Sequence, residues 1–273
     1  SGGGVIFICF LDEFGDITES IPISAGVNGF NDYYSTYDFI DGQEIAAASF
    51  GQQIEGLGDI NGDGIPDIAV SAPADRNIAS SGKAGSVYIL MLNRDGTVKS
   101  HQRIGEGEGG LKDWEQNGFF GSSISNIGDV DSDGINDLAV GSSGDTTAGR
   151  NISDIARGAI FIIRLNPDGT VKSQNKILPS GILFDGLDPY QLGLKMGCIG
   201  DINGDDNVDL AASVGQDFLI MFLNDKQELE NIKYHDRRSY FLSDILRNKE
   251  NSGRYSNPFR FPDINHDGKD ELG

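Results

Sequence analysis

An acidic, glycine-rich stretch, DINGDGIPDIAVSAP, occupies residues 59–73. Similar stretches follow at 129–143 (DVDSDGINDLAVGSS), 201–215 (DINGDDNVDLAASVG) and 263–273 (DINHDGKDELG). Their starts lie 70, 72 and 62 residues apart. Self-similarity at a nearly constant period predicts an architecture built from repeated units.

A second repeated element alternates with the first. It reads GSVYILMLNRDGTVKS at 85–100 and GAIFIIRLNPDGTVKS at 158–173. More divergent copies lie at 4–19 and 216–230. Each is a β-branched and aromatic run followed by a turn, and Asp-Gly in the two best copies is a strong hairpin signal. The element is therefore predicted to be a β-hairpin.

Together the two elements make a four-stranded unit. A short apolar strand precedes each acidic loop, a second strand follows it, and the hairpin adds two more. A four-stranded antiparallel unit of this period is the blade of a β-propeller, so the sequence predicts an all-β propeller fold. A β-sandwich ranks second, because plain hairpins would repeat at shorter spacing. The 38 Gly residues are consistent with a turn-rich β protein.

We expect residues 1–273 to form a single propeller domain or a fragment of one, with about four blades' worth of sequence. The expected blade units are 1–23 (completing a blade), 50–103, 120–177, 192–232 and 254–273 (starting a blade). The favoured interpretation is part of a larger propeller or longer protein. The alternative is that the first and last segments pair and close a small four-bladed ring.

Oxygen-bearing side chains recur at positions 1, 3, 5 and 9 of every acidic loop. Alternate carboxylates converging from a tight loop form an oxygen cage suited to Ca²⁺, whereas Mg²⁺ keeps its waters and a strict octahedron. Four such loops in register are hard to explain as simple turns. The predicted metal ligands are Asp59, Asn61, Asp63, Asp67, Asp129, Asp131, Asp133, Asp137, Asp201, Asn203, Asp205, Asp209, Asp263, Asn265, Asp267 and Glu271.

The sequence thus predicts up to four Ca²⁺ ions as cofactors. Position 12 of the first three loops is Val70, Val140 or Ala212, which excludes an EF-hand. Position 6 is Gly in the other loops but Asp206 in the third. Because an Asp at positive φ costs about 1 kcal/mol, the weakest ion is expected at 201–209.

The net charge of −21 argues against nucleic acid and against anionic membranes as partners. Bound calcium would neutralise part of this excess of acidic over basic residues. The longest apolar run, Val5–Leu11, is too short for a membrane span. Gly105–Gly110 formally matches a dinucleotide-binding motif, but no βαβ unit surrounds it. We therefore expect a protein that is not an enzyme.

The repeat resembles the FG-GAP repeat of integrin α-subunit propellers and their bacterial relatives. The first unit carries Phe50-Gly51 before its acidic loop and Ala72-Pro73 after it. The second has Phe120-Gly121, the third is reduced to Leu192-Gly193, and the fourth has Arg254-Tyr255 in place of Phe-Gly. The resemblance covers nearly the whole chain.

This resemblance implies a propeller with Ca²⁺ loops on one face and a ligand, protein or glycan, on the other. The opposite-face loops would be 24–49, 74–84, 104–118, 142–157, 178–191 and 231–253. Their irregularity is typical of a recognition surface. The Tyr-rich segment 31–39 serves either ligand contact or packing between blades.

The leading hypothesis is an extracellular or cell-surface, calcium-binding propeller that mediates adhesion or protein–protein contact. One alternative is a structural subunit of a surface filament that self-assembles through blade edges; another is a lectin-like, glycan-binding propeller. Asn151-Ile152-Ser153 is a candidate N-glycosylation site. Cys9 and Cys198 are expected to be buried free thiols, with a disulfide as the alternative.

Overall fold

The computed structural model describes residues 4–31, 38–40, 43–45, 49–75, 82–151, 153, 155–180, 184, 190–214, 217–235, 260–261 and 271–272. By its internal contacts the chain divides into two compact units, Ser1–Tyr234 and His235–Gly273. In the second unit, two short strands pair antiparallel. The first unit contains every sheet considered below.

The described residues form strands and turns, with no α-helix among them. The strands are β1 (Ile6–Leu11), β2 (Ile17–Ile23), β3 (Asp38–Ile40), β4 (Gln43–Ile45), β5 (Ile54–Gly58), β6 (Asp67–Ala72), β7 (Ser86–Leu92), β8 (Val98–Gly105), β9 (Phe120–Gly128), β10 (Asp137–Ser142), β11 (Ala159–Leu165), β12 (Val171–Ile177), β13 (Met196–Gly200), β14 (Asp209–Val214), β15 (Asp217–Leu223), β16 (Leu229–His235), β17 (Arg260–Phe261) and β18 (Glu271–Leu272).

Three four-stranded sheets dominate the first unit. They comprise β5–β8, β9–β12 and β13–β16, and in each the strands lie side by side in chain order. Strands β1 and β2 form a separate two-stranded hairpin, as do β3 and β4. This simple up-and-down order is that of a propeller blade, and it confirms the predicted all-β fold of four-stranded antiparallel blades.

The third strand of each complete blade lies in the middle of its sheet. All seven residues of β7, SVYILML, are buried, as a β-branched and aromatic strand packed on both faces should be. Val87 and Ile89 of this strand join Phe161 and Ile163 of β11 in one apolar cluster. The core is therefore formed between neighbouring sheets, and it ties successive blades together.

The Phe-Gly motif joins one blade to the next. Gly85 forms a parallel bridge with Phe120, and Gly158 forms the equivalent bridge with Leu192. The Phe120 amide donates to the Ala84 carbonyl at 2.8 Å. Gly85 has φ +82°, and a Cβ built there would lie 2.5 Å from the Phe120 nitrogen. Glycine is required at this position both by the backbone conformation and by the close approach.

Antiparallel pairing sorts the connections to two ends of each sheet. The acidic loop between the first and second strands lies at the same end as the hairpin turn between the third and fourth. Among the remaining connections, 106–119 and the described ends of the connection between β6 and β7 lie at the opposite end. The acidic loops thus lie one strand length away from the end of the sheets at which the recognition loops are predicted.

The prediction of two buried thiols is wrong for Cys9. Cys9 is exposed on β1, whereas Cys198 on β13 is half-buried, and both are free thiols. The reason is the surroundings of β1, which pairs with β2 in a two-stranded sheet. Its neighbours Phe7 and Leu11 are also exposed, at 55% and 60%. An apolar run in sequence is buried only where another layer covers it.

Candidate metal centres

The first Asp of each of the three described acidic loops accepts hydrogen bonds from the loop's own backbone. Asp59 accepts from the amides of Gly62, Asp63 and Gly64 at 2.7–3.0 Å. Asp129 and Asp201 accept in the same way from the amides four and five residues on. These bonds turn the loop around a carboxylate, and they lower the pKa of Asp201.

The ninth residue of each of the first three loops is a fully buried aspartate. In the second blade, Asp137 Oδ2 accepts from the Val130 amide at 3.1 Å, and Oδ1 accepts from the Leu165 amide at 3.0 Å. Asp67 and Asp209 make the same two kinds of contact. This aspartate therefore anchors the loop to the third strand of its own blade.

Burial raises the pKa of these anchoring carboxyls. The pKa of Asp137 rises to about 6, mainly because the side chain is removed from water. Burial raises the pKa of Asp67 and Asp209 as well, against the lowering effect of their amide hydrogen bonds. A cation beside such a group would favour its ionised form.

In the second loop the predicted ligands converge. One carboxylate oxygen from each of Asp129, Asp131 and Asp137 lies within 4.8 Å of the others. Oδ1 of Asp131 is buried and has no hydrogen-bond partner. Because a buried carboxylate oxygen without a partner is unfavourable, this atom fits a site for a cation. The donor set is purely oxygen, which suits Ca²⁺.

The fifth residue of two loops contacts a lysine from the hairpin of the same blade. Lys99 Nζ lies 2.7 Å from Asp63 Oδ2. Lys172 Nζ lies 2.8 Å from Asp131 Oδ2 and 2.5 Å from Asp133 Oδ2. These lysines lower the pKa of Asp63 and Asp133. Sequence reasoning missed them, although both occupy the same place in the repeated DGTVKS segment.

The sixth residue of each described loop has positive φ. The angle is +83° at Gly64 and +89° at Gly134, and Asp206 adopts +67° in the third loop. The expected strain at Asp206 is thus present in the backbone. The fourth predicted site cannot be compared, because Asp263, Asn265 and Asp267 lie outside the described residues and Glu271 is described only as a strand residue.

Two buried charge pairs lie at the opposite end of the blades. Asp75 Oδ2 accepts from Arg103 Nε at 2.9 Å and from the hydroxyls of Ser86 and Tyr88. Asp145 lies 2.7 Å from Lys176 Nζ. Sequence reasoning missed these pairs too. The signal was available, because Asp75 and Asp145 each follow the buried loop aspartate by eight residues.

A groove of about 620 Å³ opens at the same end. Residues of three successive blades line it, including Gln52, Asn117, Thr146, Ile155 and Leu194. Ile155 and Leu194 are 37% and 39% exposed, so the groove presents two large apolar side chains to solvent. Three of these five residues, Asn117, Thr146 and Ile155, lie in the predicted opposite-face loops. Among the described residues, no helix is long and apolar enough to cross a membrane.

Comparison with known proteins agrees with the repeat. The FG-GAP repeat family matches residues 50–90. Integrin alpha-5 of Xenopus laevis is 31% identical over 187 residues, covering 67% of this chain and 16% of the relative. Integrin alpha-4 of Xenopus laevis is 28% identical over 211 residues, covering 75% of this chain and 17% of the relative.

A third relative matches a shorter part of the chain. Integrin alpha-PS2 of Drosophila melanogaster is 29% identical over 159 residues, covering 56% of this chain and 10% of the relative. The chain therefore spans about one sixth of the length of the first two relatives. The repeated Phe-Gly junctions, the acidic loops and these similarities agree: the chain contains FG-GAP repeats and is similar in sequence to integrin α-subunits.

Proposed function

We propose that the acidic loops bind Ca²⁺ and that the ions stabilise the blades. The observation that carries this proposal is the second loop, where three carboxylates converge and Asp131 Oδ1 is buried without a partner. Asp129, Asp131, Asp133 and Asp137 would hold that ion. By repetition, Asp59, Asn61, Asp63 and Asp67 would hold one in the first loop, and Asp201, Asn203, Asp205 and Asp209 one in the third; a fourth loop, at 263–271, completes the proposed set.

The proposed role of calcium is structural. Each loop brings several carboxylates together, and a divalent ion would offset their mutual repulsion. Because the folded loop presents ligands that the unfolded chain does not, the binding free energy adds to folding stability. Loops of this kind suit the millimolar calcium found outside cells, which supports an extracellular or cell-surface location.

Thermal unfolding tests the calcium proposal. The full chain should melt at a higher temperature in millimolar CaCl₂ than in EDTA, and equal MgCl₂ should restore less of the loss. With ligand at about one hundred times Kd, each site would add about 2.7 kcal/mol. The double variant Asp129→Asn/Asp131→Asn should reduce the calcium-dependent shift. An identical melting temperature in CaCl₂ and EDTA would refute the proposal.

We further propose that the groove-bearing end of the blades contacts a protein ligand, in an adhesion or protein–protein role without catalysis. Support comes from the exposed apolar side chains in the groove and from the relatives, which are named integrin α-subunits. The candidate glycosylation residue Asn151 lies in the loop that carries Ile155, so a glycan there would stand beside the groove. The assignment of residues 1–273 to one propeller domain is part of this proposal.

Adhesion to coated surfaces tests the contact surface. Cells should attach to surfaces coated with the full chain in calcium and detach in EDTA. Ile155→Glu places a charge in the groove and should reduce attachment. Ile17→Glu makes the same change at a 64% exposed residue on β2 and should not. Equal attachment by both variants would remove the groove from the proposal, and turnover of a polysaccharide or lipid by the purified chain would overturn the non-enzymatic role.

A filament subunit is the second candidate, and one observation favours it. The β1–β2 hairpin exposes Phe7, Leu11 and Phe14, the last at 82%. Exposed apolar strands are suited to pairing with another chain. Sedimentation should then show concentration-dependent assembly that Phe7→Lys suppresses. A strictly monomeric full-length protein would count against a filament.

Glycan binding is a weaker candidate. Trp114, the single tryptophan, packs partly buried against the core between β5–β8 and β9–β12, so it is poorly placed to serve as a sugar platform. A glycan array that gave calcium-dependent binding would nevertheless restore the lectin-like role. An array with no such binding would leave protein contact as the proposed activity.

A further inference from the structure

Two lysines lie where a cation would neutralise the acidic loops. Lys172 Nζ contacts both Asp131 and Asp133, and Lys99 Nζ contacts Asp63. The side chain of Lys99 is 51% exposed and that of Lys172 is 41% exposed, whereas the side chains of their acidic partners are 20–25% exposed. The ammonium groups therefore cap half-buried carboxylates from the solvent side.

The hairpins are built to present these lysines. Lys99 and Lys172 each lie three residues after a turn glycine with φ +79°. The β7–β8 register passes from Met91↔Ser100 to Leu92↔Val98, so Lys99 has no cross-strand partner. Lys172 is skipped in the same way in the β11–β12 register. A bulge redirects one side chain, and here it is the lysine that reaches the acidic loop.

The third complete blade reverses the charge at this position. Gln227 has φ +56° at the turn, and Glu230 follows it by three residues. Glu230 and the predicted ligand Asn203 line a common cleft. Among the described loops, the third therefore has a carboxylate in place of the ammonium group that the first two receive.

We infer that Lys99 and Lys172 are internal counter-ions that compete with Ca²⁺ for the first and second loops. This inference rests on the proposed calcium function. Without calcium, the ammonium groups hold these two loops together. Calcium must displace them, so the lysines weaken its binding. Among the described residues, no lysine contacts the acidic side chains of the third loop. This difference favours calcium binding there, whereas the strain at Asp206 opposes it.

Calcium titration by calorimetry on the full chain tests this. Lys172→Met removes the ammonium group and keeps most of the aliphatic chain. We expect one site of this variant to bind Ca²⁺ about threefold to tenfold more tightly than in the wild type, as the loss of the two ion pairs with Asp131 and Asp133 implies. The matched control is Lys112→Met, which makes the same charge change at an exposed lysine with no acidic-loop contact. It should leave calcium affinity unchanged.

A second readout needs no calcium. In EDTA, Lys172→Met should melt at a lower temperature than Lys112→Met, because the second loop has lost its counter-ion. In the third blade, Glu230→Lys should weaken calcium binding at one site. If Lys172→Met and Lys112→Met have equal calcium affinities, the lysine inference is overturned while the calcium proposal stands. If the wild type binds no calcium, both are overturned.

Discussion

Asp75 and Asp145 show what a single carboxylate needs in order to be buried in this protein. Asp75 is fully buried, yet it accepts from one guanidinium and two hydroxyls. Asp145 is equally buried beside Lys176. Removing one partner of such a pair leaves an uncompensated buried charge. The resulting loss of folding free energy is larger than the net stabilisation that the intact pair contributes. The buried loop acid Asp137, in contrast, faces backbone amides and other carboxylates.

Asp206→Gly should stabilise the protein by about 0.5–1 kcal/mol, because glycine adopts positive φ without steric cost. Chemical denaturation in EDTA measures this change without a contribution from calcium. Asp206→Asn is the control, because it removes the charge and keeps a side chain at φ +67°. If the two variants gain equally, repulsion between carboxylates rather than backbone strain is the cause.

Glu115 should make stability depend on pH. Its carboxylate accepts from the Thr146 hydroxyl at 2.6 Å and from the Thr146 amide at 3.1 Å, and these bonds lower its pKa. A lowered folded-state pKa adds stability above the unfolded value, about 4.3, and that stability disappears as pH falls through the folded pKa.

Glu115→Gln should therefore melt below the wild type at pH 7, with the gap closing as pH falls below the unfolded pKa of about 4.3 and through the lower folded pKa. Glu13→Gln, at an exposed acid in the first hairpin turn, controls for the change in net charge. A gap that stays constant across this pH range would show that Glu115 contributes through packing rather than through its ionised form.

At the scale of elements, the junction between blades tolerates a side chain in place of glycine less well than the turns do. The bridges Gly85↔Phe120 and Gly158↔Leu192 bring two backbones together with no room for a side chain. Gly128, at the end of β9, has nearly the same φ but nothing within 4 Å of a built Cβ. The two kinds of glycine look alike in sequence and differ only in their surroundings.

Gly85→Ala should consequently destabilise the protein by more than about 2 kcal/mol, because backbone strain and overlap with Phe120 add together. Gly128→Ala should cost only about 1 kcal/mol, because it meets the strain alone. Urea denaturation of the two variants provides the comparison. Equal losses would mean that the blade junction adjusts to admit a methyl group.

At the scale of the whole molecule, the two cysteines report on different surroundings. Cys9 is exposed on the two-stranded β1–β2 sheet. Cys198 is half-buried against the apolar cluster of β9–β16, and burial raises the pKa of its thiol. Cys198 is therefore less often a thiolate than an exposed cysteine would be, and its sulfur is less accessible to reagents.

Maleimide labelling at neutral pH should accordingly modify Cys9 first, and Cys198 at least about tenfold more slowly. Calcium should slow Cys198 further if it stabilises the blades, while Cys9 is unaffected. The variants Cys9→Ser and Cys198→Ser assign each phase by mass spectrometry. Equal labelling rates would contradict the difference in burial on which the prediction rests.

The repeat, the blade and the acidic loops could all be predicted from the sequence, because each depends on residues close together in the chain. Runs of β-branched and aromatic residues, an Asp-Gly turn and carboxylates at every second position each lie within about a dozen residues. Their pattern is therefore visible in the sequence itself. The positive φ at position 206 was predictable for the same reason: it follows from its place in the loop.

Only the tertiary structure decided which distant groups meet. Lys172 reaches Asp131 across 41 residues, Arg103 reaches Asp75 across 28, and the groove combines loops from three blades. It also left Cys9 exposed, although its sequence neighbours are apolar. Such contacts depend on how strands are registered and sheets stacked, and a local pattern specifies that a strand forms but not what lies opposite it.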